Sequence, residues 1–305
     1  MNKFTKLSLC LCLLATVLFS ACEKEYDSIE TIDAAAIQSY ITKNNLTTAM
    51  IQDPDKTGFY YQVVNQGTGS LFKNPDSVFY DITIKSLTNG TVYSQSPIHG
   101  NLGTHVGYST AVLSTFNFPA IRTSILALSP GGTARILLPS NLAFGKNGYN
   151  NIPSNENIDI TVKTYPFRKQ WLFDESKIEN FLTSKGLVAV KDPSRVRYIV
   201  SNVGAGADVI TNTSTLVIKY TGRFLDGTTF DSGTDGTYST TLQQVISGWG
   251  VLKNFRAGTK VRILIPSDLA YGTTGSIDPN TRQPDGKIPA NAVLDFDIEI
   301  VSVTN

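Results

Sequence analysis

The sequence has few of the side chains on which metal and covalent catalysis depend. Its 305 residues include two histidines, His99 and His105, and three cysteines. No CxxC, HExxH or P-loop pattern is present, and Gly204-Ala-Gly206 has the character of a turn rather than of a dinucleotide fingerprint. A hydrolytic triad would have to use one of the two loop histidines. We therefore expect a function that needs no metal, no cofactor and no covalent intermediate.

The chain also lacks an excess of either charge. Lysine and arginine together number 26, and aspartate and glutamate number 25, with no basic cluster among them. Nucleic acids and anionic membrane surfaces are usually bound by such clusters. We therefore expect no nucleic-acid partner.

The N-terminal residues have the pattern of a secretory signal peptide. Lys3 and Lys6 precede an apolar run over residues 7–19, and Ser20-Ala21 supplies the small residues that cleavage requires. The run is too short to span a bilayer as a stable helix. We predict a signal peptide over residues 1–21.

Cys22 is the first residue after the predicted cleavage site. Residues 18–22, Leu-Phe-Ser-Ala-Cys, resemble a bacterial lipobox. This resemblance implies lipidation of the Cys22 thiol and attachment to a lipid membrane of the bacterial cell envelope, at the periplasmic or surface face of the outer membrane. The alternative is an ordinary signal peptide with a cysteine near its end. Cys10 and Cys12 leave with the signal, so the mature chain has one thiol and no internal disulfide; residues 22–32 are expected to form a tether.

The rest of the chain contains one pattern twice. Residues 33–41 and 174–182 share the i, i+3, i+4 apolar spacing of an amphipathic helix, and we predict that Asp33 and Asp174 cap these helices. Similar repeats follow downstream. Changes in the spacing between the copies place a Gly/Pro/Asn-rich insertion near residues 97–117 of the first copy and another near residues 276–286 of the second.

Within each copy, strand patterns dominate after the helix. Residues 216–220, 260–265 and 293–301 alternate or run apolar with many β-branched side chains, and Asp226-Gly227 predicts a tight turn. A short helix is expected near residues 245–255. The fold class predicted is α+β, an antiparallel sheet packed on a short helix.

A series of aromatic residues in the second copy resembles a known family. In chain order the motifs are Tyr220-Thr-Gly, Asp226-Gly-Thr-Thr-Phe230-Asp231, Val245-Ile246-Ser-Gly-Trp249, Leu269-Ala-Tyr271-Gly, Ile288-Pro and Phe296. Together they resemble the FK506-binding-protein (FKBP) type of peptidyl-prolyl cis-trans isomerase domain. The resemblance implies two FKBP-like domains, each a curved antiparallel β-sheet on a short helix with an additional helix before it: a degenerate domain over 33–165, a linker helix over 166–186 and an isomerase domain over 187–305.

The resemblance also implies roles for these side chains in an aromatic pocket that receives a proline ring. The implied catalytic residues are Tyr220, Asp231 and Tyr271. The implied substrate-binding residues are Phe230, Val245, Ile246, Trp249, Ile288 and Phe296. Trp249 would form the pocket floor, while the Tyr271 hydroxyl and the Ile246 backbone N–H would donate to the substrate carbonyl. Taken singly, Tyr220 and Phe296 are more typical of a sheet core, and Trp249 fits either role; it is their occurrence together that favours a pocket.

The second copy departs from the family pattern next to the predicted floor. Ser247 stands where proline is frequent, Gly250-Val251 replaces an acidic pair, and the run to Gly258 is one residue short. Since a deletion rotates the following residues of a helix by about 100°, this shortening predicts a displaced pocket floor.

The first copy departs further. At the positions of Tyr220, Asp231, Trp249, Tyr271 and Phe296 we align Thr83, Ser94, Arg122, Phe144 and Ile160, and only Tyr93, aligned with Phe230, stays aromatic. We expect a retained fold without the proline site, serving in binding, spacing or dimerisation.

Two functions follow from these observations. The first is a folding enzyme that isomerises X-Pro bonds in exported polypeptides of the cell envelope. The second is a non-catalytic lipoprotein that uses the FKBP fold to bind a protein or peptide. The full aromatic set with Asp231 favours the enzyme, whereas the degenerate first copy favours the binder.

Overall fold

A computed structural model describes residues 27–112 and 116–305 of the chain. The predicted signal peptide and Cys22 therefore lie outside the described residues. The α-helices are α1 (Ile29–Lys43), α2 (Pro119–Leu126) and α3 (Gln170–Lys185). The strands are β1 (Ile51–Gln52), β2 (Tyr60–Asn65), β3 (Ser77–Ser86), β4 (Val92–Gln95), β5 (Leu102–His105), β6 (Ala111–Val112), β7 (Phe116–Asn117), β8 (Thr133–Leu138), β9 (Ile158–Thr164), β10 (Val190–Lys191), β11 (Arg197–Asn202), β12 (Thr215–Phe224), β13 (Thr229–Thr240), β14 (Lys260–Ile265) and β15 (Leu294–Thr304).

The strands form two antiparallel sheets with equivalent orders. The first sheet runs β1-β2-β8-β9-β3-β4, with β5 also paired to β3, and the second runs β10-β11-β14-β15-β12-β13. A separate hairpin joins β6 to β7. The α+β class is confirmed, and the matching orders agree with the repeat in the sequence. None of the helices in the two described stretches is long and apolar enough to cross a membrane.

Each sheet packs on a short helical segment. In the first half this segment is α2, whose Ile121 and Ile125 are fully buried in the core. In the second half it is a 3-10 helix, Ser247–Asn254, whose Trp249 and Leu252 enter the equivalent core. A short helix was predicted there; glycines at positions 248 and 250 weaken the α-helical alternative.

The two repeated aspartates do not cap their helices, so that prediction was wrong. The side chain of Ser28 caps α1 by accepting from the Thr31 backbone N–H. Asp33 and Asp174 lie within α1 and α3, and both are buried. In each half one carboxylate oxygen accepts a backbone N–H at 2.9 Å and a hydroxyl at 2.6 Å from the same serine, which is Ser140 in the first half and Ser267 in the second.

These contacts show what the repeated Asp does. It satisfies two buried donors at the start of a 3-10 turn about a hundred residues away, and so fastens the helix to its own sheet. Burial raises the pKa of Asp174 above its ordinary value, although the hydrogen bonds from Ser267 and Gln170 oppose that shift. Apolar packing of Ile178 of α3 against Leu264 and Val293 completes the attachment. The predicted boundaries 33–165, 166–186 and 187–305 remain predictions.

Candidate functional site

A cavity of about 300 Å³ opens beside the second sheet. It is lined by Tyr220, Phe230, Asp231, Tyr238, Gln244, Val245, Ile246, Trp249, Tyr271 and Phe296. All the residues singled out from the sequence line it except Ile288. Strand register explains the convergence, because β12 lies between β13 and β15 and brings side chains of all three to one face.

The base of the cavity is aromatic and closely packed. The Trp249 side chain is 4% exposed, and its ring centroid lies 5.8 Å from that of Tyr220 and 5.4 Å from that of Phe296. Phe230 meets Phe296 at 5.5 Å. The three ring pairs are steeply inclined to one another, at 70–84°, which is the favourable edge-to-face arrangement. Trp249 thus lies at the base of the cavity despite the deletion that follows it.

Gly222 allows the rings to meet. It lies opposite Phe296 in the β12–β15 pair. A Cβ atom at this position would lie 2.7 Å from carbon atoms of both Phe230 and Phe296, well inside van der Waals contact. The glycine of the Tyr-Thr-Gly motif is thus a requirement of the cavity wall.

The equivalent position in the first sheet is Ile84, which lies opposite Ile160 in the β3–β9 pair and is buried. This register also corrects the sequence alignment, because it makes Ile82 the partner position of Tyr220 and not Thr83. An offset of one residue matters in a strand, since it moves a side chain to the other face. The spacing between the two copies changes along the chain, so the offset of one residue is not visible from the sequence alone.

The polar side of the cavity is formed by Tyr220 and Asp231. The Tyr220 hydroxyl donates to the Asp231 carboxylate at 2.8 Å, and the backbone N–H of Ser232 donates to its other oxygen at 2.9 Å. Burial raises the pKa of Tyr220, and the hydrogen bond to Asp231 raises it further. Tyr220 therefore stays protonated at neutral pH and holds the carboxylate in a fixed orientation.

The buried indole N–H of Trp249 has no partner among the described residues, and both donors that the resemblance directs at a substrate carbonyl are unused as well. Within residues 27–112 and 116–305, neither the Tyr271 hydroxyl nor the Ile246 backbone N–H has a protein partner. Burial raises the pKa of Tyr271, with a smaller effect from the Asp231 charge, so this hydroxyl also remains a donor. Tyr271 is 38% exposed and can be approached from solvent. A carbonyl group entering the cavity could accept from both.

Three residues differ from what the sequence indicated. Ile288 packs in the core instead of lining the cavity, and its backbone N–H and carbonyl are both bonded to Ser276. Tyr238, which lies outside the motifs quoted above, does line it, with its ring 5.2 Å from that of Tyr220. Gln244 was missed, because a polar residue before Val245 carries no pattern of its own.

The first sheet has a different arrangement at the corresponding place. Phe144, aligned with Tyr271, is buried against Phe116 and Phe118, with centroid distances of 4.7 and 5.3 Å. Arg122, aligned with Trp249, lines a separate cavity of about 430 Å³ together with Asp53. Phe116 of the first insertion and Phe118 next to it thus pack against the residue that corresponds to Tyr271.

Comparison with known proteins finds a family match within the second half of the chain. Residues 206–301 match the family described as FKBP-type peptidyl-prolyl cis-trans isomerase. The chain is 40% identical over 114 residues to the FKBP-type isomerase FkpA of Aeromonas hydrophila, covering 36% of this chain and 38% of that protein. It is 33% identical over 151 residues to the outer membrane protein MIP of Legionella longbeachae, covering 47% and 60%.

A longer but weaker similarity extends into the first half. The chain is 27% identical over 241 residues to the peptidyl-prolyl cis-trans isomerase FKBP10 of Mus musculus, covering 77% of this chain and 36% of that protein. The chain spans about half the length of the first relatives it matches, from 38% to 56%. The match over residues 206–301 contains all of the cavity residues, and this part of the chain is thus a domain of the FKBP-type peptidyl-prolyl cis-trans isomerase family.

Proposed function

We propose that the cavity of the second domain isomerises X-Pro peptide bonds and so assists the folding of other polypeptides. The observation that carries the proposal is an aromatic base beneath two donors that have no partner among the described residues, Tyr271 and Ile246. No metal or covalent step is needed. The similarity to FKBP-type isomerases supports the same activity.

The chemistry follows from the nature of the peptide bond. Amide resonance sets a barrier of about 18–20 kcal/mol to rotation, and rotation to the twisted state removes that resonance. The planar amide is more dipolar than the twisted one, so transfer to a dry aromatic cavity favours the twisted state relative to the planar one. Each tenfold of rate needs only about 1.4 kcal/mol, which desolvation and oriented hydrogen bonds can supply.

We assign the residues accordingly. Trp249 supports the proline ring between Phe230 and Phe296, while Tyr271 and the Ile246 N–H hold the preceding carbonyl. Asp231, fixed by Tyr220, contributes a negative potential at the cavity mouth. Ile288 contributes indirectly, by holding the loop after the cavity in place.

A protease-coupled assay on an X-Pro peptide tests the proposal. Tyr271→Phe removes one donor without changing the packing of the ring, and we expect kcat/KM to fall about tenfold, in line with a lost hydrogen bond in the transition state. Tyr108→Phe, in the first half and 77% exposed, is the matched control. A Tyr220→Ala/Trp249→Ala double variant should abolish the activity. Equal rates for all variants would reject the enzyme, and FK506 binding without any rate enhancement would favour the non-catalytic binder.

We also propose that the protein is anchored at the bacterial cell envelope through a lipid on Cys22, where it meets X-Pro-containing polypeptides. The lipobox resemblance supports this location, and one relative is named an outer membrane protein. A Cys22→Ser variant should lose both fatty-acid labelling and sedimentation with membranes. Unchanged labelling of the variant would refute the anchor.

The two sheets further suggest that the chain arose by duplication, with the boundaries 33–165, 166–186 and 187–305. Ile84 in place of Gly222 and Phe144 in place of Tyr271 would remove the site from the first copy, leaving its fold.

A further inference from the structure

We infer that His99, Gly100 and Asn101 of the first domain are positioning residues for the cavity of the second domain. These residues belong to the insertion near 97–117 and are called the bracing loop here. The inference rests on the proposed isomerase function. It gives the first domain, which has no proline site of its own, a role in the activity of its neighbour.

His99 contacts the wall of the cavity through one intermediate ring. Its imidazole stacks on Phe224 of β12, with centroids 3.9 Å apart and planes inclined by 8°. Phe224 is buried, and its ring lies 5.2 Å from that of Phe230, which lines the cavity. His99 also approaches the exposed Asp226 carboxylate at 3.7 Å. The His99 imidazole therefore packs on the Phe224 ring, which in turn packs against Phe230 of the cavity wall.

Gly100 lies against the loop that follows Ile288. A Cβ atom at Gly100 would lie 2.3 Å from the Ala290 carbonyl oxygen and 3.1 Å from the Pro289 side chain. Only glycine permits this approach, since a backbone oxygen cannot yield as a flexible side chain can. Gly100 is therefore required for the close approach of the two loops at the junction between the two domains.

Asn101 continues the junction towards Tyr271. Its backbone N–H donates to the Ala290 carbonyl at 3.3 Å, and its carbonyl accepts from the Asn291 side chain at 2.9 Å in a buried position. The Asn291 backbone N–H in turn donates to the carbonyl of Gly272 at 2.8 Å. Gly272 is the neighbour of Tyr271, so the bonds lead from the first domain to the proposed carbonyl donor.

The bracing loop is itself held firmly. The strand that follows it, β5, pairs with β3 of the first sheet. The side-chain amide of Asn101 donates to Gln170 at 3.0 Å, and its oxygen accepts from Lys177 at 3.0 Å, both on α3. Pairing of β5 thus fixes the loop to the first sheet, while α3, which Asp174 attaches to the second sheet, holds Asn101 beside that sheet. A loop held on both sides can keep the residues it contacts in a fixed position.

The inference is tested in the full chain with Gly100→Ala, which forces the loops apart, and with His99→Ala, which removes the stacked ring. Because small displacements of positioned groups are costly, we expect kcat/KM to fall about tenfold for Gly100→Ala and about threefold for His99→Ala, chiefly through kcat. His99→Phe keeps a stacking ring without charge and should restore the rate. The matched controls lie in the same insertion: Gly107→Ala, whose new Cβ would be 3.4 Å from Asn74, and His105→Ala, which is exposed.

A readout independent of turnover separates this inference from the proposed activity. Trp171 and Trp249 are the chain's two tryptophans, so in a Trp171→Phe background emission reports Trp249 alone. Gly100→Ala should increase acrylamide quenching of Trp249, and Gly107→Ala should not. If the wild type does not isomerise X-Pro bonds but quenching responds as expected, the proposed function fails and the positioning role stands. If Gly100→Ala matches its control in both quenching and rate, the positioning role is refuted, whatever the wild-type activity.

Discussion

The substitution Gly222→Ala should narrow the cavity by a predictable amount. The new methyl carbon would lie 2.7 Å from ring carbons of both Phe230 and Phe296. Since carbon atoms prefer separations of about 3.5–4.0 Å, the rings must retreat by about 1 Å. The backbone presents no obstacle, because Gly222 does not have the positive φ that a side chain would strain.

The magnitude follows from the crowding of a packed core. Overpacking of this kind costs about 1–3 kcal/mol of unfolding free energy. A displacement of about 1 Å at a positioned group lowers catalysis by up to about 100-fold, so we expect kcat/KM for an X-Pro peptide to fall between about tenfold and 100-fold. Gly222→Ile, which copies the first domain at Ile84, should abolish activity.

The measurements are urea unfolding followed by Trp249 fluorescence in the Trp171→Phe background, and the protease-coupled assay. Gly250→Ala is the control, because it also lies beside Trp249 but its added Cβ would have no neighbour within 4 Å. If Gly222→Ala changes kcat/KM by less than about twofold and unfolding by less than about 0.5 kcal/mol, the account of the cavity wall is wrong.

Two further predictions concern Asp174. Asp174→Ala leaves the buried Ser267 N–H without its acceptor and should cost about 2–4 kcal/mol of unfolding free energy. The control Asp268→Ala, at an exposed ion pair, should cost less than about 1 kcal/mol. Similar values for the two variants would contradict the role of Asp174 in attaching α3 to the second sheet. Burial raises the folded-state pKa of Asp174, so its contribution to stability is present below the unfolded pKa and is lost as pH rises through the folded pKa. The difference in unfolding free energy between wild type and Asp174→Asn should therefore decrease from acid towards neutral pH, and an increase would show that the sign is wrong.

Much of the second domain could be predicted from its motifs. The strands, the tight turn after Asp226 and most of the cavity residues lie where the sequence indicated, because Tyr220, Phe230 and Phe296 are placed by strand alternation once the register is known. Ile288 could not be separated from the core in this way. Its side chain is apolar in either role, and only the position of the loop around Ser276 decides between them.

The errors arose where a residue acts over a long distance. Asp33 and Asp174 stand where a helix cap is expected from the local sequence, but their carboxylates accept hydrogen bonds from serines far along the chain. The bracing loop was recognised only as an insertion, since nothing in residues 97–101 indicates that Gly100 approaches Ala290. The importance of Gly222 was likewise hidden until the strand register placed Ile84 at the same point in the first sheet.

The hydrogen bond between Asn101 and Asn291 joins residues 190 positions apart. It has a consequence for the order of folding. During synthesis the first sheet can close once β9 has emerged, but the second sheet needs β15, which ends at Thr304. The proposed isomerase cavity can therefore form only after the first sheet, and the bracing loop cannot make its bond to Asn291 before then. Any slow prolyl isomerisation in the first domain must therefore proceed without help from the chain's own site.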